Sequence, residues 1–205
     1  MKNLSLDDKV KKIAQIFPQQ NTLIKTGDLI KHGLRSENIA LLTEQGKIEK
    51  LKHGYYRFPL KDDWNDETII SILYPDGVLC MYTALFYYGY SDRTPLEWDI
   101  AIDRNTSRSR FKLDYPYVKP YYMKKNMLTF GIDEAEYPAC KIKIFDRDRI
   151  ICECVRNENK IDKETYNKAI QGYINDSKRS IPSLISYAKK LNIFTKVKER
   201  IGIWL

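Results

Sequence analysis

Histidine and cysteine are scarce in this sequence, which holds two histidines and four cysteines among its 205 residues. The cysteines form no Cys-x-x-Cys pair, and two histidines are too few for the usual zinc-binding patterns. We therefore expect no metal site and no cofactor. The thiols of Cys80, Cys140, Cys152 and Cys154 should be reduced and mostly buried, as in a cytoplasmic protein.

Long hydrophobic runs are also missing. The longest uncharged segment, 77–91, is rich in tyrosine and shorter than the ~20 apolar residues that span a bilayer. The N-terminus lacks the apolar core of a signal peptide. With nine glycines and eight prolines, no stretch is biased enough to indicate low complexity or disorder. The sequence predicts a cytoplasmic globular protein that does not associate with a membrane.

What the sequence has in excess is positive charge. The formal net charge is +8, which favours a polyanionic partner. Residues 1–60 contain eleven lysines and arginines against six acidic residues, whereas the other 145 residues contain twenty-four against twenty-one. The N-terminal part is therefore disproportionately basic, and we expect the polyanion to bind there.

The same N-terminal part shows the pattern of a winged helix-turn-helix. A capping box at Ser5 begins the first helix, and Gly33 separates a short second helix from a third that we expect Ser36 to cap. Two short strands, roughly 47–51 and 55–59, then form a hairpin. In this arrangement the third helix enters the major groove of DNA and the hairpin touches the flanking backbone.

The outer face of the third helix limits where contacts to DNA can be placed. It carries Glu37 and Glu44, which repel phosphates, although a glutamate can accept a hydrogen bond from cytosine. We therefore place base contacts at the N-terminal end of the helix and phosphate contacts on the basic residues around it. A winged helix used for protein contact stays the alternative. The candidate DNA-binding residues are Lys12, Arg35, Ser36, Asn38, Lys47, Lys50, Lys52, His53, Tyr55 and Arg57.

The rest of the chain predicts a larger mixed domain, so the fold class is α+β with domains at 1–61 and 62–205. We expect a small sheet followed by a C-terminal helical block whose helices are capped by Asp162 and Ser180 and end with a helix from about Thr195. The segment 78–88 is predicted to be mostly helical. Strands are expected at 98–103, 117–123, 127–132 and 140–145, and a basic loop follows the first of them.

Two acidic residues on the first of these strands raise the question of catalysis. Asp99 and Asp103 alternate with apolar residues, so we expect them to face solvent. A metal-dependent nuclease would need such carboxylates and a lysine to converge on one edge. No nucleophile–base pair, phosphate-binding glycine loop or metal cluster accompanies them, and we favour a protein without enzymatic activity.

The segment 146–156 carries three arginines and three acidic residues. Their spacing fits either an ion-pair network within the domain, which we favour, or an exposed functional face. Similarly, Asp92 and Arg93 lie in a run that is typical of a structural turn. The C-terminal helices carry many lysines, which indicate a solvated face or a second nucleic-acid surface. As candidates for an antitoxin-domain surface we single out Arg93, Arg147, Arg149, Lys189 and Lys190.

Four stretches of the sequence resemble one known family, the AbiEi-type antitoxins. They are a glycine-bounded block at 33–46 with Ile48 and a Gly-Tyr-Tyr-Arg run; a hydrophobic helix leading to Gly-Tyr-Ser-Asp-Arg-Thr-Pro; an Asp-Arg-rich helix; and a helical tail. The sequence departs conservatively from the family pattern at Tyr90, Asp148 and Glu153. Members of the AbiEi-type family are repressors in type IV toxin–antitoxin operons, which act in abortive phage infection.

The resemblance implies two activities. The N-terminal domain would bind double-stranded DNA at inverted repeats upstream of its own operon and repress it. The C-terminal domain would counteract a nucleotidyltransferase-like toxin without forming a stable complex. Two other functions stay open from the residues alone: a metal-dependent nuclease, and an interaction protein that binds the toxin and has no DNA-binding activity.

Overall fold

The computed structural model describes residues 5–16, 23–57 and 65–202. Helices and two small sheets make up this part of the chain, which confirms the predicted α+β class. The chain divides into two compact units, Met1–Leu73 with Lys112–Pro116, and Tyr74–Phe111 with Tyr117–Leu205. Among the described residues, no helix is long and apolar enough to cross a membrane.

The first unit consists of short helices and a three-stranded antiparallel sheet of order β1-β3-β2. Its helices are α1 (Leu6–Ile16), α2 (Thr26–Lys31), α3 (Ser36–Glu44) and α4 (Asp66–Leu73). Its strands are β1 (Ile24–Lys25), β2 (Glu49–Lys52) and β3 (Tyr55–Arg57). The expected boundary between 61 and 62 lies outside the described residues, and α4, which we assigned to the second domain, lies in this first unit.

The predicted capping residue begins α1, where the backbone N–H of Asp8 donates to Ser5 Oγ at 3.2 Å.

A small apolar core holds the first unit together. Each fully buried aliphatic side chain contributes about 1.5–3 kcal/mol relative to an exposed one, so six of them suffice to fix short helices that would not form alone. The core residues come from β1, α2, α3 and the turns after them, and are Ile24, Leu29, Leu34, Ile39, Leu42 and Ile48.

The second unit contains a five-stranded mixed sheet and a block of helices. The sheet order is β6-β5-β4-β8-β7, with β5–β6 and β4–β8 parallel and the other pairs antiparallel. Its strands are β4 (Val78–Leu79), β5 (Trp98–Asp103), β6 (Val118–Met123), β7 (Ile132–Tyr137) and β8 (Cys140–Phe145). Its helices are α5 (Met81–Tyr87), α6 (Arg147–Arg156), α7 (Lys163–Asn175), α8 (Ile181–Lys190) and α9 (Phe194–Ile201).

The helical block begins where the sequence predicts. Asp162 Oδ1 accepts from the backbone N–H of Thr165 at 2.9 Å, and Ser180 Oγ accepts from that of Ser183 at 3.3 Å. These two bonds confirm the predicted caps, because they satisfy N–H groups that a helix start leaves free. The final helix, α9, lies at the expected place.

Two expectations about the sheet are wrong, and a third is incomplete. The segment 127–132 is not a strand, since a 3-10 turn at Lys125–Leu128 precedes β7. The segment 78–88 is mostly helical, as expected, but it begins with β4, which pairs with β5 and β8. Asp99 does not face solvent: it is 1% exposed, because both faces of β5 are covered.

Candidate nucleic-acid interface

The turn between α2 and α3 presents the start of α3 at the surface. The N–H of Leu34 donates to the carbonyl of Leu29 at 3.0 Å, and both side chains lie in the apolar core. From α3, Ile39 and Leu42 point into the same core. The inner face of α3 is thereby held in place, and its opposite face is open to solvent.

The N-terminal end of α3 differs in detail from the prediction. The helix begins at Ser36 with Arg35 at the N-cap position, so the expected Ser36 cap is wrong. Instead, Asn38 Oδ1 accepts a hydrogen bond from the N–H of Arg35 at 3.2 Å. This bond occupies the Asn38 oxygen, whereas the side chains of Arg35 and Ser36 are exposed. Arg35 and Ser36 are therefore accessible to a ligand, and Asn38 is half-buried beside them.

The outer face of α3 is acidic and apolar. Glu37, Ala40, Leu41 and Glu44 are all exposed, as the helical spacing predicts. No lysine or arginine occurs within α3 itself. Positive charge must therefore come from the residues that flank α3.

The β2–β3 hairpin supplies that charge. Gly54 has a φ of +83°, a conformation that favours glycine, and it closes the turn between the strands. Lys50 and His53 are exposed on the hairpin. The Nζ of Lys52 lies 4.8 Å from the centre of the Tyr55 ring, a cation–π distance. The hairpin thus combines basic groups with an aromatic ring.

One basic residue of this surface was missed by the sequence analysis. Lys25 pairs with Tyr55 across β1 and β3, and its Nζ lies 5.8 Å from the centre of the Tyr55 ring. It is exposed. The only signal in the sequence was a short extended stretch before α2, which does not reveal its partner strand. Lys25 and Lys52 therefore both lie within cation–π distance of the same ring.

Two predicted DNA-binding residues are held in ion pairs. Arg57 Nε lies 2.6 Å from Glu49 Oε2 across the hairpin. Lys47 pairs with Asp7, and the hydrogen bond and charge of Lys47 lower the pKa of that carboxyl. Ion pairs at the surface are weak and contribute about 0–1 kcal/mol. A DNA phosphate could therefore replace the acidic partner of Arg57 or Lys47. The side chain of Lys12 lies outside the described residues.

In the second unit, the structure corrects one member of the predicted antitoxin-domain surface. Arg149 is fully buried in α6, so it cannot belong to a surface. Its Nη2 lies 2.7 Å from Glu153 Oε1, and its guanidinium lies 4.2 and 4.5 Å from the centres of the Phe130 and Phe145 rings. This buried pair is part of an ion-pair network within the domain.

The other members of that surface are at least partly exposed. Arg147 is half-buried and its Nε donates to Asp176 Oδ2 at 2.8 Å. Arg93 is exposed and pairs with Glu164, and its N–H donates to Ser91 Oγ in the predicted turn. Lys189 and Lys190 are exposed near the end of α8. The structure does not bring these four together as one cluster.

The carboxylate of Asp99 does not form a metal site with neighbours. Its Oδ2 accepts from the N–H of Tyr82 at 2.9 Å, at the start of α5. Burial raises the pKa of this carboxyl from 3.8 to about 7. Within the described ranges, no group of three or more His, Cys, Asp or Glu side chains could hold a metal ion. Asp99 therefore acts as a tertiary cap of α5.

Comparison with known protein families gives one match. Residues 11–59 match the family described as transcriptional regulator, AbiEi antitoxin. The matched segment includes α2, α3 and the β2–β3 hairpin, and it confirms the resemblance predicted from the sequence. None of the curated proteins compared with the chain is a significant match.

Proposed function

Because residues 11–59 belong to the AbiEi antitoxin family of transcriptional regulators, we propose that this protein is a DNA-binding autorepressor with an N-terminal winged helix-turn-helix. Its ligand would be double-stranded DNA carrying inverted repeats upstream of its own operon. In this assignment α2 and α3 are the helix-turn-helix and the β2–β3 hairpin is the wing. The single observation that supports it best is the exposed N-terminal end of α3, a helix that is followed in the chain by a basic, aromatic hairpin.

The proposed contacts follow from the charge distribution. The N-terminal end of α3 would enter the major groove, where Arg35 can donate two hydrogen bonds to a guanine. Lys25, Lys50 and Lys52 would contact phosphates, which supply most of the affinity and carry no sequence information. The acidic outer face of α3 would then lie away from the phosphate backbone of the DNA. Specificity would rest on few base contacts.

A mobility-shift assay with DNA from upstream of the gene tests this proposal. We expect the full-length chain to bind, and binding to weaken steeply with salt. The variant Arg35→Ala should lose about 1–3 kcal/mol of specific binding. The double variant Lys50→Gln/Lys52→Gln should weaken binding to all duplexes alike and lower the salt slope by about two.

The matched control is Lys160→Gln/Lys163→Gln, which removes the same charge from exposed residues of the second unit. A truncation lacking residues 1–60 should no longer shift the DNA. Unchanged binding by that truncation, or an equal loss in the control and the hairpin variant, would refute the N-terminal assignment.

The proposal has a second part, an antitoxin activity of residues 62–205. The description of the matched family supports it, since it names these regulators antitoxins. The partner would be a nucleotidyltransferase-like toxin of a type IV system in phage defence, counteracted without a stable complex. Arg93, Arg147, Lys189 and Lys190 are the residues we would change first. We propose no catalytic activity.

A further inference from the structure

Two segments of the second unit carry positive charge and no acidic residue. Residues 104–111 contain three arginines and residues 117–131 contain three lysines, and neither segment holds an aspartate or glutamate. The proposed DNA interface and the antitoxin candidates include none of these six residues. The charge therefore has no role in the functions described so far.

The topology of the sheet brings the two segments together. Strands β5 and β6 are parallel, and their register runs from Trp98 opposite Val118 to Asp103 opposite Met123. Both strands end at the same level, and the N–H of Arg104 donates to the carbonyl of Met123 at 2.8 Å. Arg104 and Lys124 consequently leave the sheet side by side.

Four of the six cations are exposed and have no ion-pair partner within the described ranges. Arg110 is held by Asp76 at 2.8 Å, and Lys119 is held by Glu97 at 3.0 Å. In the part of the chain that the structure describes, the remaining four have no ion-pair partner, so their charges are available to an anion. These four are Arg104, Arg108, Lys124 and Lys125.

An aromatic side chain lies between these cations in the sequence. Tyr122 is on the edge strand β6 and is 37% exposed. Its ring meets Phe111 edge to face at 6.1 Å, and Phe111 in turn stacks on Tyr74 at 5.2 Å. Tyr122 is therefore a rigid ring supported from below with an open side. The ring therefore lies on the strand that leads into Lys124 and packs on the 3-10 turn Arg108–Phe111. An exposed ring on basic segments is a pattern that binds unpaired bases and their phosphates.

We propose that this surface, the β5–β6 edge patch (Arg104, Arg108, Tyr122, Lys124 and Lys125), binds single-stranded nucleic acid through its phosphates and unpaired bases. A base stacks on Tyr122, and the four cations contact the phosphates on either side. A duplex cannot use the tyrosine, because its bases are already stacked inside the helix. The patch goes beyond the proposed repressor activity, which uses duplex DNA and the first unit.

Fluorescence anisotropy with a labelled oligouridylate of about 16 nucleotides tests the patch in the full-length chain. The variant Arg104→Gln/Arg108→Gln/Lys124→Gln/Lys125→Gln should bind at least about tenfold more weakly, with a salt slope reduced by about three, since each phosphate contact on a single strand contributes about 0.7. The matched control removes four exposed lysines elsewhere in the second unit and should change binding less than about twofold. Its positions are Lys160, Lys163, Lys178 and Lys198, each changed to Gln.

Stacking is tested separately at Tyr122. Tyr122→Ala should weaken binding by at least about fivefold, and Tyr122→Phe should retain it, because a phenylalanine keeps the ring. Circular dichroism checks that both variants are folded. If Tyr122→Ala is destabilised, the four-cation variant, measured against its control, still decides the question.

Three results would overturn the proposal: an equal loss in the patch variant and its control, unchanged binding by a folded Tyr122→Ala, or tighter binding of a duplex of the same length than of the oligouridylate. An oligodeoxythymidylate of the same length, measured in parallel, shows whether the patch prefers RNA or DNA. The upstream-DNA mobility shift is measured in parallel. Its failure would count against the repressor assignment and would leave the RNA measurement standing, because the patch variants leave Arg35 and the hairpin intact.

Discussion

At the scale of single residues, Asp99 illustrates how tertiary contacts change the chemistry of a side chain. It lies on β5, its own N–H donates to Thr83 Oγ1 at 2.8 Å, and its Oδ2 caps α5 through Tyr82. The other carboxylate oxygen is buried and has no hydrogen-bond partner among the residues that the structure describes. A buried carboxylate with one unsatisfied oxygen favours the protonated form, which accounts for its raised pKa.

The raised pKa predicts a specific pH dependence of stability. The unfolded carboxyl releases its proton near pH 3.8, whereas the folded one holds it until about pH 7. The folded state therefore binds more protons between these values, so the free energy of unfolding falls as pH rises from about 4 to about 7. Asp99→Asn removes this contribution and should be the more stable protein at pH 8, by a few kcal/mol at most.

Urea unfolding of both proteins at a series of pH values measures the difference. Asp103→Asn is the matched control, because Asp103 is on the same strand but half-exposed. An identical pH dependence in the wild type and Asp99→Asn would contradict the explanation.

At the scale of elements, α6 shows how a charged helix can be central to a core. Eight of its ten residues are buried, including Arg149 and Glu153. The guanidinium fits here because two aromatic rings cover it and Gly131 leaves room: a Cβ on that glycine would lie 2.7 Å from Arg149 Cβ. The pair is thus enclosed on several sides. A second cation, Arg156, lies 3.6 Å from the Glu153 carboxylate, and its side chain is partly exposed.

This enclosure predicts asymmetric effects of mutation. Arg149→Met should cost about 3–5 kcal/mol of unfolding free energy, because it leaves the Glu153 carboxylate buried without its guanidinium. The double variant Arg149→Met/Glu153→Leu should recover most of that loss, since two apolar side chains of similar volume replace the pair. Chemical denaturation measures both. A double variant as unstable as the single one would show that the rest of the network, and not the pair, carries the stability.

At the scale of the whole molecule, the chain divides its charge between two compact units. The first holds the proposed DNA interface, and the second holds both the antitoxin candidates and the β5–β6 edge patch. Since these surfaces share no residue, the activities should be separable by mutation.

The separation can be measured in cells. Arg35→Ala/Lys50→Ala should derepress a reporter fused to the upstream DNA by at least about tenfold, corresponding to more than about 1.4 kcal/mol of lost binding. The same variant, expressed from an independent promoter, should still protect growth when the toxin is induced. Loss of protection in this variant would mean that antitoxin activity requires DNA binding.

The sequence by itself determined the α+β class, the caps of α7 and α8, the hairpin and the basic N-terminal part. These depend on local rules: capping residues, glycine at a positive φ, and hydrophobic periodicity. Only the tertiary structure decided that Asp99 and Arg149 are buried, that Lys25 lies beside Tyr55, and that β5 and β6 end together at one basic edge. Each of these requires residues far apart in sequence to meet. Hydrophobic periodicity and secondary-structure propensity carry no information about which distant element covers a given face.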